Sequence, residues 1–313
     1  MTTIDSGVLV MGGLPFTKRM ALDAGLPRRH VESLIRWGIV GRVLRDVYVD
    51  ARIPDDIPCR ASAVALVLPP GAAIGRRTAA WLFGVDAWPD VAPQWGRAVE
   101  CLVPVGVQPA RRPGVDCFEA NIPDEDLVMV GSVLATRPVR TAVDLLRWLQ
   151  PHQGLGAADA LAHEGLVEPE EIRESVERWR KHPGVGQARY LARLIEPATE
   201  SFGESATRLR IVDAGLPRPV VQIEVLSEHG ALVWRLDIGW PDRLKAVEYD
   251  GEKYHSTTAQ REHDAARREQ LDRRFGWQIY VARKEHVYGK DMSLEVAAGY
   301  MLGVQPRISR RTW

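Results

Sequence analysis

Residues 232–251 read LVWRLDIGWPDRLKAVEYDG, and the acids in this stretch decide how the chain is read. Leu232–Ile238 has the character of a strand, which Asp237 closes. Trp240-Pro241-Asp242-Arg243 supplies a turn. Leu244–Asp250 forms the return strand and ends at Gly251. In a hairpin of this length Asp237 can sit close to Glu248. Glu248 and Asp250 are two apart and so point to the same face of an extended chain. Leu236, Ile238, Ala246 and Val247 read as buried strand. Carboxylates among such neighbours are costly unless something neutralises them. Oxygen coordination of Mg²⁺ or Mn²⁺ is one answer. Ion pairing with Arg235, Lys245 or Arg267 is the other, and the sequence leaves both open.

Flanking elements extend this constellation. Glu204 opens a helix over Glu204–Ala214, from where it can reach the sheet. Alternatively it is a first-turn acid paired with Arg208 at i+4. Strands are expected over Pro219–Leu226 and Gln278–Ala282. His255 follows the Asp250-Gly251 turn and has either a structural role or one in proton transfer. A helix over Thr258–Phe275 places Asp264, Arg267 and Leu271 on one side. Arg267 can hold a phosphate or a carboxylate.

At the other end of the chain Thr17 caps a short helix, Lys18–Ala24, which Gly25 stops. Pro27 opens a second helix with Val31, Leu34 and Ile35 on its apolar side and Arg28, Arg29, Ser33 and Arg36 on the other. Two short strands around a turn follow within Ile39–Val49 and carry Arg42 and Arg45. Helix, tight turn, helix, β-ribbon is the order of a winged helix-turn-helix, which sets its second helix in a DNA major groove and its ribbon against phosphates. The bland alternative is the solvated face of an amphipathic helix in a packing module. Between the two ends, Ala61–Leu68 is helix or strand and Arg76–Phe83 is helical. Val99–Val105 and Val115–Phe118 are strands, and Thr136–Leu149 is a helix. Arg140 and Asp144, one turn apart, read as an ion pair, and His163 as a structural residue.

The 313 residues divide into three blocks, 1–59, 60–196 and 197–313. The 41 basic and 41 acidic residues cancel, which excludes a histone-like protein but not a local basic face. Only six of the basic residues are Lys; Arg suits phosphate recognition, although a GC-rich coding sequence gives the same bias. Cys59, Cys101 and Cys117 are scattered without a CxxC pair, so neither a zinc ribbon nor a disulfide framework is expected. The opening MTTIDSG has no signal-peptide pattern, and no apolar stretch is long enough to cross a bilayer. A cytoplasmic location and no membrane partner are the expectations.

Glu204, Asp237, Glu248-Tyr249-Asp250-Gly251, His255, Asp264, Arg267, Leu271 and Gly276-Trp277 together resemble the PD-(D/E)XK nuclease superfamily, in its branch related to the very-short-patch-repair endonucleases. The first two blocks resemble AbiEi-family antitoxins, through Trp37-Gly38, Val47-Tyr48-Val49, Ala79-Ala80-Trp81-Leu82 and Thr136–Asp144. The fold class implied is a multi-domain α/β chain: a winged helix, a middle α/β domain and a C-terminal α-β-β-β-α-β core. The nuclease resemblance implies Asp237 and Glu248 as principal ligands of Mg²⁺ or Mn²⁺, with Glu204 and Asp250 in support. Asp250 stands where that superfamily often has Lys, which leaves proton transfer to His255 and phosphate contact to Arg267. The expected function is a divalent-metal-dependent DNA endonuclease. The alternative is a non-catalytic DNA-binding regulator or antitoxin-like protein, with a toxin partner and a degenerate nuclease fold.

Overall fold

The computed structural model describes residues 9–88, 97–107, 113–251 and 269–308. Those residues form a mixed α/β chain with three separate sheets. The chain divides into two compact units, Met1–Asp144 and Leu145–Trp313. No described helix is long and apolar enough to cross a membrane.

The N-terminal unit begins with β1 (Phe16–Thr17), α1 (Lys18–Asp23), α2 (Arg28–Arg36), β2 (Val40–Leu44) and β3 (Val47–Asp50). The Thr17 hydroxyl accepts from the Met20 N–H at 3.2 Å and so caps α1 as expected. Arg45-Asp46 turns the β2–β3 hairpin, with Asp46 at φ 62°, a left-handed conformation that Asp tolerates better than most residues. The sheet order is β1-β3-β2. The hairpin serves two cores. Val40 and Tyr48 pack with Phe16, Ala21, Val31 and Leu34. Leu44 and Val47 pack with Ala61, Val64, Ile74, Trp81 and Cys101. All four residues of β3 are therefore buried, and hydrophobic packing bridges the seam expected after residue 59.

The rest of this unit adds α3 (Ile57–Ala65), β4 (Ala73–Ile74), α4 (Arg76–Leu82), β5 (Val99–Pro104), β6 (Val115–Ala120), β7 (Leu127–Val130) and β8 (Val133–Thr136), before α5 (Pro138–Trp148). Asp56 decides the ambiguous Ala61–Leu68 stretch in favour of helix, because its carboxylate accepts from Cys59 N–H at 2.9 Å and caps α3. The five strands are ordered β6-β5-β4-β8-β7. Arg140 is buried and donates to Asp144 at 2.9 Å and to Asp126 at 2.8 Å. The ion pair read from spacing is thus an interior three-residue cluster.

The C-terminal unit contains α6 (Pro151–His163), α7 (Pro169–Glu177), α8 (Val185–Ala192), α9 (Phe202–Asp213), β9 (Val220–Leu226), β10 (Leu232–Trp240), β11 (Lys245–Asp250), helical residues 269–275 (α10), β12 (Gln278–Arg283), α11 (Lys284–Tyr288) and α12 (Ser293–Leu302). Its sheet runs β12-β11-β10-β9. The β11–β12 pair is parallel and the others are antiparallel. One core holds Ala206, Ile211, Ile238, Val247, Val287 and Leu294. Another holds Ile223, Leu236, Ala246, Leu271 and Trp277. His163 is structural, its Nδ1 lying 2.8 Å from the Pro197 carbonyl.

Candidate functional site

Two groups of side chains are assembled in the structure, one in each unit. In the N-terminal unit Val31 and Leu34 turn inward from α2, while Arg28, Arg29 and Arg36 remain exposed. Arg28 Nε donates to Glu32 at 3.1 Å, across one helical turn. Ser33 sits differently from expectation: it is half-buried and its hydroxyl donates to the Arg29 carbonyl at 2.9 Å. That bond occupies its only proton, so Ser33 is a poor donor to a ligand. On the hairpin, the Arg42 guanidinium lies 5.9 Å from the Tyr48 ring centroid. The Arg45 stem rests on Gly114, where a Cβ would come within 2.9 Å of Arg45 Cδ. Reading the sequence for charge overlooked Trp37, which ends α2 and is 67% exposed beside Arg36. An indole that open next to guanidinium groups is suited to stacking on a flat or sugar surface.

In the C-terminal unit the β10–β11 register sets Ile238 against Val247, with Asp237 and Glu248 the next residues along the two strands. Asp237 Oδ2 accepts from the Tyr249 N–H at 2.9 Å. β10 does not end at Ile238 but continues to Trp240, so Asp237 is a mid-strand residue. The β9–β10 ladder pairs Leu236 with Ile223 and Ile238 with Val221, and skips Asp237. Its neighbour across the gap, Gln222, has φ 50°. Leu236 and Ile238, which a straight strand would aim at one face, enter different cores at this irregularity. Backbone strain of this kind persists only where the surroundings impose it.

Gln222 Nε2 donates to Glu204 Oε2 at 3.0 Å. Glu204 also receives the Ser201 hydroxyl at 2.7 Å and the Glu200 N–H at 3.2 Å. Ser201 in turn accepts from the Glu204 N–H at 3.1 Å, so the site acid belongs to the cap of α9. Trp234 Nε1 donates to Glu248 at 2.9 Å. Ser201, Gln222 and Trp234 carried no signal in the sequence, because each acts through a tertiary contact. The expected alternative cations that lie among the described residues have gone elsewhere. Arg235 pairs with Glu200 at 2.7 Å, Lys245 binds Gln278 at 2.9 Å, and Arg208 pairs with Asp159 at 2.6 Å. Asp250 ends β11 in register with Arg283.

Burial, reinforced by the negative charges of Glu204, Glu248 and Glu200, pushes the Asp237 carboxyl up to about 7, against the pull of the Tyr249 N–H. This has a sign. Between the unfolded value of 3.8 and about 7 the native chain keeps a proton that the unfolded chain releases. Stability is therefore lost as pH rises through that window. Asp237→Asn keeps the acceptor for Tyr249 and cannot titrate. We expect it to flatten this dependence, and at pH 8 to be more stable than the parent by about 2 kcal/mol in urea denaturation, with little difference near pH 4.

Gly203 holds the site together from the α9 side, because a methyl at that position would overlap the Tyr249 ring. Gly203→Ala is expected to cost about 1–3 kcal/mol by thermal denaturation, as overpacking does. Displacing Tyr249 should also change the Asp237 titration, followed by side-chain carboxyl NMR.

His255, Asp264 and Arg267 lie outside the described residues. The donor chemistry of Glu204, Asp237 and Glu248, all hard carboxylate oxygens, suits Mg²⁺ or Mn²⁺ in kind. In arrangement, protein N–H and O–H donors already bind both Glu204 oxygens and one oxygen each of Asp237 and Glu248. Among the described residues no three acids or histidines stand as an ion-holding group.

Residues 71–194 match the AbiEi antitoxin C-terminal domain. Two curated sequences from Mycobacterium tuberculosis strains, the uncharacterized proteins Rv2248 and MT2308, are each 32% identical to this chain over 254 residues, covering 81% of it and 89% of their own length. The crystal structure of the RV2827C protein from the same species aligns with 68% of this chain and 84% of its own, at 14% identity and a TM-score of 0.33.

Proposed function

This chain belongs to the family of the M. tuberculosis proteins Rv2248 and MT2308 and carries an AbiEi-type antitoxin domain at residues 71–194, and from that premise we propose that it is a DNA-binding, antitoxin-like regulator. The AbiEi match is the observation that carries this reading. Within it, residues 1–59 act as a winged helix, 60–196 as the antitoxin-type α/β domain and 197–313 as a nuclease-like domain without turnover. Arg28, Arg29, Arg36, Arg42 and Arg45 supply the phosphate and groove contacts, and a cognate toxin is the protein partner. The acid cluster supports the non-catalytic reading in that Ser201 and Gln222 bind the two oxygens of Glu204, Trp234 binds one oxygen of Glu248 and the Tyr249 N–H one oxygen of Asp237.

The test is a pair of measurements on the full chain. Binding to duplex DNA from its own promoter region, with log affinity falling linearly against log salt, is expected. Supercoiled plasmid should remain intact in Mg²⁺ or Mn²⁺. Absence of DNA binding at low salt would sink the reading.

A second reading is favoured by one observation, the negative charge that Glu204 and Glu248 bring to bear on the buried Asp237 carboxyl. In it the cluster takes up a divalent ion, which would polarise a phosphate and acidify a water. Asp237, Glu248, Glu204 and Asp250 would be its ligands, and His255 would move the proton. Metal-dependent nicking that disappears in Glu248→Ala would establish it; no cleavage at any metal concentration would remove it.

A further inference from the structure

β5 and β6 run parallel, and their register sets Cys101 beside Cys117. Side chains at paired positions share a face of the sheet. Here it is the core face: Cys101 belongs to the cluster of Ile74, Val99, Val103 and Val115, and Cys117 packs against it. Both residues are thiols, and their sulfurs lie 3.1 Å apart. They are 16 positions apart in sequence, so the contact is a product of strand register rather than of a spacing motif. Adjacent strands sit ~4.8 Å apart, within the ~4.4–6.8 Å between Cα atoms that a disulfide spans. Joining the two sulfurs therefore requires no rearrangement of the ladder. The two thiols are not equivalent. Cys101 is wholly buried on β5, an interior strand, where burial and the adjoining Cys117 push its thiol up. Cys117 is half-buried on β6, which ends the sheet. A thiol nearer the surface meets a dissolved oxidant first, and a packed one beside it serves as the resolving sulfur. Cys59 stands outside this ladder, on α3. Burial, with Asp56 and Asp55, raises its thiol.

We propose that Cys101 and Cys117 are an oxidative modification site, a dithiol that a peroxide closes to a disulfide across β5 and β6. In the first step the Cys117 sulfur attacks one peroxide oxygen. The O–O bond breaks, the sulfur becomes a sulfenic acid, and the other oxygen leaves as water with the thiol proton. In the second the Cys101 sulfur attacks the Cys117 sulfur. The S–O bond breaks and the hydroxyl leaves as a second water with the Cys101 proton. The two sulfurs together give up two electrons, which reduce the peroxide. The site lies within the segment that matches the antitoxin domain and does not depend on whether the chain binds DNA. The test treats reduced full-length protein with hydrogen peroxide and then alkylates the remaining thiols after denaturation. Mass spectrometry should show a peptide pair joining Cys101 to Cys117, an alkylated Cys59, and full return of the thiols on adding dithiothreitol. This measurement needs no variant. Cys101→Ser removes the resolving sulfur, so dimedone should capture the Cys117 sulfenic acid at least tenfold more than in the parent. Three results would each overturn the proposal: both thiols still alkylated after excess peroxide, a disulfide that uses Cys59 or a second chain, or equal dimedone capture in the parent and a folded Cys101→Ser protein.

Discussion

Alanine at Arg28, Arg29 and Arg36 together is expected to weaken duplex-DNA binding about 100-fold, and to lower the slope of log affinity against log salt by about 2–3. The reasoning is additive. Each lost phosphate contact removes about 0.9 from the slope, and three contacts at roughly 1 kcal/mol each give about two decades in affinity. The Arg28 side chain is 81% exposed and its pairing with Glu32 is the surface kind. Surface changes of this type shift folding stability by only about 0.5 kcal/mol. A melting temperature near the parental one would therefore show that the lost affinity reflects the interface. Fluorescence anisotropy at four or five salt concentrations gives both numbers. An unchanged slope would mean that α2 faces protein or solvent instead.

The largest effect on stability is expected at Arg208. This residue and Asp159 are both 1% exposed, and they pair at 2.6 Å. Ser205 donates to the same carboxylate oxygen at 2.7 Å, and the Glu196 N–H binds the other oxygen at 2.8 Å. Arg208 also donates to the Leu194 carbonyl. Burial raises the Asp159 carboxyl to about 6 even with these partners, of which Arg208 is the main one pulling it down. Arg208→Met strands an acid in the interior. Breaking such a pair costs about 3–5 kcal/mol, which in a chain of this size is roughly 10 °C of melting temperature. Adding Asp159→Leu should recover much of that loss, since removing both charges also removes the desolvation penalty. A double variant no better than the single one would show that Arg208 matters for its packing and its bond to Leu194 rather than for the charge pair.

These two cases mark what could be read in the sequence. The cap at Thr17, the apolar stripe of α2 and the antiparallel pairing of the two strands that carry Asp237 and Glu248 follow from local rules of spacing, capping and alternation, and all three are present in the structure. The β7–β8 hairpin was not anticipated, since Leu127–Thr136 is nearly all apolar and shows no clean period. Partner choice was the harder matter. Spacing suggested Arg208 for Glu204 and Arg235 for the hairpin acids, whereas the fold gives Arg208 to Asp159 and Arg235 to Glu200. Long side chains choose partners across elements, and a linear sequence does not display those distances. The kink at Gln222, which shapes the acid site, was likewise invisible, because nothing about glutamine favours positive φ.

The Asp159–Arg208 pair joins α6, inside the segment matching the antitoxin domain, to α9, which lies beyond it. Cutting the gene between residues 194 and 202 would leave the first fragment with a stranded carboxylate and the bare helical surface around it, and the second with an interior guanidinium opened to water. Neither piece is then a modular part to be excised, swapped or expressed alone.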